Sequence, residues 1–319
     1  MRTYHQLTPG ERYELSALRK QGFHPAEIAR ALGRHRSTVI REIRRNCCND
    51  GAYRPATADD FARWRRGRSR RNQRFKPRDW ALVRARLRQH WSPEQIAGRF
   101  RRTGTLRISH ESIYRHIWDD WRNGGTLYLL LRRAQKKRWK RYRSHDSRGR
   151  LAGKRPIAQR PPGAQNRSRR GHLEGDTMVG SSDLHSVLTL VDRKTGFLLV
   201  GKLTARNAAQ TARRAIELVN RAPSSVRTIT VDNGTEFHSY KVVEDVTGVR
   251  FFFATPHHSW ERGTSEDTNG LLRQYLPKKA SMAHLSQRDC DRLARHLNNR
   301  PRKRLGFLTP AECYESHRP

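Results

Sequence analysis

A short β-favouring run, Thr228-Ile229-Thr230-Val231, stops at Asp232, immediately before the turn-forming pair Asn233-Gly234. This sets an acid at a strand tip. Thirty-four residues later, in SWERGTSEDTNGLLRQYLPK, the apolar period is helical. At about 100° per residue Leu271, Leu272 and Tyr275 share one side, and Glu266, Asn269, Gly270 and Arg273 share the opposite one. Glu261 and Asp267 are each offset from Glu266 by a quadrant or more, so phase selects Glu266 as the acid that faces away from the core stripe. A third acid, Asp176 in GHLEGDTMVG, lies mid-strand in an alternating segment with Glu174 on its own face and Thr177 and Val179 on the other. Three elements of different type each offer one carboxylate. Converging carboxylates repel one another unless cations sit between their oxygens. An oxygen-only donor set favours magnesium or manganese over zinc, and two such ions suit transfer at a phosphodiester.

The charge balance points to the same class of partner. The 319 residues carry a formal net charge of +38, and residues 1–170 hold 45 of the 67 lysines and arginines against 13 acids. Such a surface attracts the phosphates of double-stranded DNA in a salt-dependent way. An acidic membrane is the weaker alternative, because no amphipathic or lipidation signal accompanies the charge. No apolar run approaches the roughly 18 residues of a membrane span, and no signal peptide is read at the N-terminus, so a cytoplasmic, nucleoid-associated protein is expected. Cys47 and Cys48 are adjacent while Cys290 and Cys313 lie far away, which matches neither a disulfide framework nor a zinc spacing.

Within the basic half, residues 7–46 read as three helices, the first carrying Tyr13, Leu15 and Leu18. In the next two, Pro25 suits a first helical turn, Ile28, Ala29 and Leu32 give one apolar side, and Gly33 permits the tight turn before Val39 and Ile43 point inward. The pattern is a helix-turn-helix over residues 1–48. Its last helix leaves Arg36, Ser37, Thr38, Arg41, Arg44 and Arg45 available to a major groove. HPAEIARAL at 24–32 is echoed by SPEQIAGRF at 92–100, so residues 86–135 are expected to hold a second helix-turn-helix. Ser109 would be its N-cap, and His110, Ser112, Arg115 and His116 would be its exposed residues. Basic linkers are expected at 49–85 and 136–170, where Trp64, Phe75, Trp139 and Tyr142 interleave the charges.

From His172 onward the expected order is strand, strand, hairpin turn DRKTG, strand, long helix, strand, short helix, strand RFFFA, and the Glu266 helix. The segments GHLEGD, LVDRKTG, DNGTEF, WERGTSEDTNGLLRQYLPK and LNNRPRKRLGFLTPAE resemble the IS-thirty family of bacterial insertion sequences, whose transposases carry a DDE catalytic domain. The resemblance covers nearly the whole chain and includes the short Asp-to-Glu interval. It implies a multidomain protein, with all-α helix-turn-helix modules followed by an α/β ribonuclease H-like (integrase-type) domain at 171–319 with a C-terminal helical tail. It implies Asp176, Asp232 and Glu266 as catalytic and metal-binding triad, with two Mg2+ or Mn2+ ions; Arg273, on the Glu266 side of the helix, is expected as a DNA contact. It also implies binding to terminal inverted repeats, cleavage at the element ends and joining of 3′ hydroxyls to target DNA, with a homodimer or larger assembly on the DNA. The rival is a helix-turn-helix repressor with a vestigial nuclease fold. Two departures are visible: Leu173 stands where an aromatic is common, and Ser265 and Asp267 flank Glu266 where asparagines are common. His185, His238, His257 and His258 read as DNA contacts or turn packing, since two-metal chemistry needs no protein base. Trp260 reads first as an aromatic anchor for the Glu266 helix and second as a base-stacking platform.

Overall fold

Apolar residues at helical spacing near the N-terminus and at alternating positions after His172 assemble into separate cores. The computed structural model describes residues 6–68, 74–132, 153–181, 184–256 and 258–315. The chain divides into two compact units, Met1–Trp80 and Ala81–Pro319.

The first unit contains α1 (Pro9–Lys20), α2 (Pro25–Ala31), α3 (Arg36–Asn46) and α4 (Pro55–Arg68). Thr8 begins α1 with a capping box, its hydroxyl accepting from Glu11 N and the Glu11 carboxylate accepting from Thr8 N. At α3 the His35 ring nitrogen accepts from Ser37 N. Leu7, Leu15, Ile28, Ala29, Val39, Tyr53 and Ala58 form the core. Two expectations change here. Tyr13 is 60% exposed, whereas its neighbour Arg12 is only 1% exposed. The Arg12 guanidinium donates to Glu42 at 2.7 Å and to Asp59 at 2.7 Å. Asp59 belongs to α4, in the stretch expected as a basic linker. That stretch is helical because it supplies both a core residue, Ala58, and the second acid that makes burial of Arg12 tolerable.

In the second unit, α5 (Pro77–Arg88) from Ala81 onward, α6 (Pro93–Thr103) and α7 (His110–Arg122) carry the buried residues Val83, Leu87, Ile96, Phe100, Ile113 and Ile117, with Ile108 buried between α6 and α7 in sequence. The echo between the two modules holds down to the caps. Glu27 accepts from His24 N and Gln95 accepts from Ser92 N, each three residues into its helix behind a proline. Of the expected second linker, residues 136–152 lie outside the described residues, Trp139 and Tyr142 among them. Residues 153–170 pack on the sheet: Pro156 bridges Phe253, Arg155 meets Glu244 at 2.5 Å, and α8 (Pro162–Gln165) buries Ala164.

Five strands follow: β1 (His172–Val179), β2 (Ser186–Asp192), β3 (Leu198–Leu203), β4 (Thr228–Val231) and β5 (Arg250–Phe253), in the spatial order β3-β2-β1-β4-β5. The first three are antiparallel, and β4 and β5 add in parallel to β1. Helices α9 (Ala208–Asn220) and α10 (Tyr240–Thr247) precede α11 (Gly263–Leu272), α12 (Gln287–Asn298) and α13 (Pro310–Glu315). One face of the sheet packs Leu188, Leu190, Ile229 and Val231 against Ala212, Leu218, Tyr240 and Val243. The other packs Met178, Val187, Val191 and Val200 against Leu271, Leu272, Ala294 and Leu297. The sheet is therefore covered by α9 and α10 on one side and by α11 and α12 on the other. None of the four cysteines is in a disulfide. Among the described residues no helix is long and apolar enough to cross a membrane.

The segment after α12 is where the helical module of the second unit docks. Arg99 makes a forked pair with Glu312, one arm at 2.8 Å. Arg300 donates to Gln95 at 2.8 Å, and Lys303 pairs with Glu94 at 2.6 Å. Gly98 lies directly under Phe307, whose ring would stand 2.3 Å from a Cβ at that position. Gly98→Ala is accordingly expected to destabilise the second unit by about 1–3 kcal/mol through overpacking. Urea melts of the full chain measure this, and an unchanged midpoint would contradict the close packing. These contacts tie the helical module to residues 300–315 within the second unit.

Candidate functional site

Register brings two of the three acids together. β1 pairs with β4 as His172 with Thr228, Leu173 with Ile229 and Glu174 with Thr230. Continued by two residues, the same offset sets Asp176 beside Asp232, the first residue past β4. Between them stands Arg262, the last residue of a 3-10 turn, Ser259–Arg262. Its guanidinium reaches Asp176 Oδ1 at 3.3 Å and Asp232 Oδ2 at 3.3 Å.

Each aspartate has a further anchor. Asn269 Nδ2 donates to Asp176 Oδ2 at 2.7 Å, and Thr189 Oγ1 donates to the Asn269 side-chain oxygen at 3.1 Å. Gly234 N donates to Asp232 Oδ1 at 2.9 Å. A Cβ at Gly234 would meet Glu236 Oε2 at 2.5 Å and Asp232 Oδ1 at 2.9 Å, so any larger residue here would push one of these carboxylates aside. Burial raises the pKa of Asp176 above the usual carboxylate range, partly opposed by Arg262 and reinforced by the charge of Asp232.

Glu266 is exposed on α11 and makes no hydrogen bond or ion pair among the described residues. It lies three residues before Asn269, one turn along the row that reaches Asp176. Among the described residues no three His, Cys, Asp or Glu side chains are grouped closely enough to hold one ion. The neighbouring acids have other tasks. Glu261 accepts from Thr255 N at 2.7 Å and from its hydroxyl at 3.1 Å, closing the preceding loop. Glu174 is 0% exposed, pairs with the buried Arg193, and accepts from Ser265 N at 2.8 Å, which ties the first turn of α11 to β1. Glu236 accepts from Thr177 Oγ1 at 2.6 Å.

Helical phase sets Asn269 on the Glu266 side of α11 but does not reveal its bond to Asp176, and periodicity gives no sign of Arg262 or Glu236 as site residues. Each partner lies far off in sequence, and only the shared wording of the segments hinted at them. Arg273 donates to the carbonyls of Val179 at 3.0 Å and Leu276 at 3.3 Å, so its guanidinium closes the end of β1, with burial lowering its pKa. His258 bonds to Pro256 O, the buried ring nitrogens of His185 and His238 have no partner among the described residues, and His257 lies outside them. Trp260 is 69% exposed and edge-on to His258, not buried under α11 as a helix anchor would be.

On α3, Arg36, Arg41, Arg44 and Arg45 are exposed, and Ser37 and Thr38 half-buried. Arg41 folds back along the helix, its Nε donating to Ser37 O at 3.0 Å and Nη2 to Ser37 Oγ at 3.0 Å. A cleft of about 290 Å³ beside it is lined by Thr38, Arg41, Arg45, Arg65 and Arg66 among others, so α4 adds basic residues to the same surface. On α7, His110 and Arg115 are exposed, while Ser112 bonds to the Ser109 hydroxyl at 2.9 Å. His116, expected to be exposed, is half-buried 3.5 Å from Arg84.

Comparison with known proteins bears on both surfaces. A helix-turn-helix domain family matches residues 3–46. The chain is 37% identical to the transposase for insertion sequence element IS4351 of Bacteroides fragilis, over 97% of this chain and 95% of that one. It is 36% identical to the transposase for insertion sequence element IS1086 of Cupriavidus metallidurans, over 97% and 94%. It is also 36% identical to the transposase InsI for insertion sequence element IS30A of Escherichia coli, over 97% and 83%. With this identity sustained from the helix-turn-helix to the C-terminal helices, the chain belongs to the IS30 family of insertion-sequence transposases.

Proposed function

We propose that residues 171–319 of the second unit form a ribonuclease H-like DDE catalytic domain in which Asp176, Asp232 and Glu266 hold divalent magnesium or manganese. One observation carries the reading: two aspartates from adjacent parallel strands converge on a single cationic group. The donor set fits, because it consists of hard carboxylate oxygens and contains no thiolate or imidazole. Two such ions, when bound, activate an attacking oxygen and stabilise the leaving oxygen of a phosphodiester.

The chain's own residues do the rest. Asn269 and the Gly234 amide orient the two carboxylates, and Glu174 positions the start of α11 and hence Glu266. In the first unit, α3 and the cleft beside it bind the terminal inverted repeats of the element, and in the second unit α7 serves as a second reading helix. The reaction is hydrolysis at the element ends followed by attack of the freed 3′ hydroxyls on target DNA, within an assembly of at least two chains. The test is an end-bearing duplex with and without magnesium, followed on gels for nicking and joining, with the joining complex sized. Binding without any metal-dependent nicking would favour the repressor, and nicking without joining a simple nuclease.

For the reading helix, Arg41→Ala is expected to cost about 1–3 kcal/mol on end DNA if Arg41 reads a base edge. Competition binding measures it against a random duplex, and equal losses on both would assign Arg41 to phosphate. Binding should also fall steeply with salt, as the charge of the basic half requires.

A further inference from the structure

We propose that Arg262 is an exchangeable counter-cation of the acid pair: its guanidinium occupies the position between Asp176 and Asp232 until a divalent ion takes the same oxygens. Loading the ion and releasing the Arg262 side chain are then one event. The inference rests on the assignment of Asp176 and Asp232 as metal ligands.

Three features of the site support exchange over a permanent ion pair. The fork is loose. Both contacts are 3.3 Å, longer than the roughly 2.7–2.9 Å of a charge-assisted hydrogen bond. The other contact of the guanidinium, to Gly175 O, is at 3.5 Å, and its buried Nε has no partner among the described residues. A permanent structural arginine at this depth would have its donors satisfied, as Arg12 does with Glu42 and Asp59.

Secondly, the carboxylates do not depend on Arg262 for their orientation. Asn269 holds Asp176 and the Gly234 amide holds Asp232, so the oxygens stay in place when the guanidinium leaves. Thirdly, Arg262 ends the short turn that carries the exposed Trp260, edge-on to His258. A side chain leaving the acid pair from this turn emerges beside that aromatic surface, where its charge is free to meet a DNA phosphate.

Mn2+ binding to the full chain without DNA tests the exchange, followed by the loss of the free-ion electron paramagnetic resonance signal. Wild type is compared with Arg262→Gln, Arg262→Lys and Asp176→Asn. Removing a competing cation should tighten Mn2+ binding, by about tenfold or more in Arg262→Gln. Arg262→Lys retains a charge that cannot fork between two carboxylates, and should fall between the two. It also serves as the folded comparator if the glutamine variant is unstable. Without metal, Arg262→Gln should melt below wild type, and Mn2+ should raise its midpoint more than that of wild type.

Equal or weaker Mn2+ binding in Arg262→Gln and Arg262→Lys, with binding abolished in Asp176→Asn, would overturn the exchange and leave the metal ligands standing. Absence of Mn2+ binding in wild type and both arginine variants would overturn the ligand assignment and the exchange with it.

Discussion

End cleavage and strand joining by a Glu266→Gln protein are expected to fall at least about a thousandfold, equivalent to about 4 kcal/mol of transition-state stabilisation. Folding and end binding should survive. Glutamine keeps the shape and hydrogen-bonding capacity of the side chain and removes only the charge that, on the proposed assignment, helps hold a cation. The neighbouring acids provide the internal controls. Glu261 is engaged by Thr255, so it is not free to serve. Asp267 sits about 100° around α11 from the row that reaches Asp176 through Asn269. Asp267→Asn should therefore retain activity within about twofold, which is less than about 0.5 kcal/mol. Single-turnover assays with magnesium on a pre-nicked end substrate measure both variants. An active Glu266→Gln protein beside a dead Asp267→Asn protein would move the third ligand to Asp267.

Glu174→Gln is expected to lower the stability of the second unit by about 3–5 kcal/mol, because it leaves the buried Arg193 guanidinium without its carboxylate. That is a large fraction of the roughly 5–15 kcal/mol by which a domain is stable, so partial unfolding near body temperature should follow. The substitution also loosens the tie between β1 and the first turn of α11 made through Ser265 N, so residual activity should drop in the fraction that stays folded. Arg193 keeps its bond to Ala164 O, which places the loss nearer the lower end of that range. Replacing Glu174 and Arg193 together by methionine removes both charges and should recover much of the stability without restoring the Ser265 contact. Urea unfolding of wild type and the two variants, read beside cleavage rates, separates the two effects. A loss below about 1 kcal/mol in Glu174→Gln would mean that water reaches Arg193.

Local pattern alone determined a good deal of this chain. The β run ending at Asp232, the alternation that puts Glu174 and Asp176 on one face, and the helical phase that turns Glu266 away from Leu271 are all consequences of a residue's own element. The same holds for the helix-turn-helix, where Pro25, Gly33 and the inward pair Val39 and Ile43 act within a few residues of one another. Tertiary structure decided which charged groups are partnered and which segments are tethers. Arg12 looks like any surface arginine until Glu42 and Asp59 arrive from α3 and α4, and the stretch bearing Asp59 looks like a linker until it packs on α1. Arg262 enters the acid pair because a turn thirty residues after Asp232 folds over the edge of β1. The second module docks on the C-terminal segment because Gly98 leaves room for Phe307, more than two hundred residues away. The physical reason is common to all of these. Periodicity reports the face on which a side chain leaves its own backbone, whereas burial of a charge depends on a counter-charge whose position is set by loop closure and by packing between distant elements.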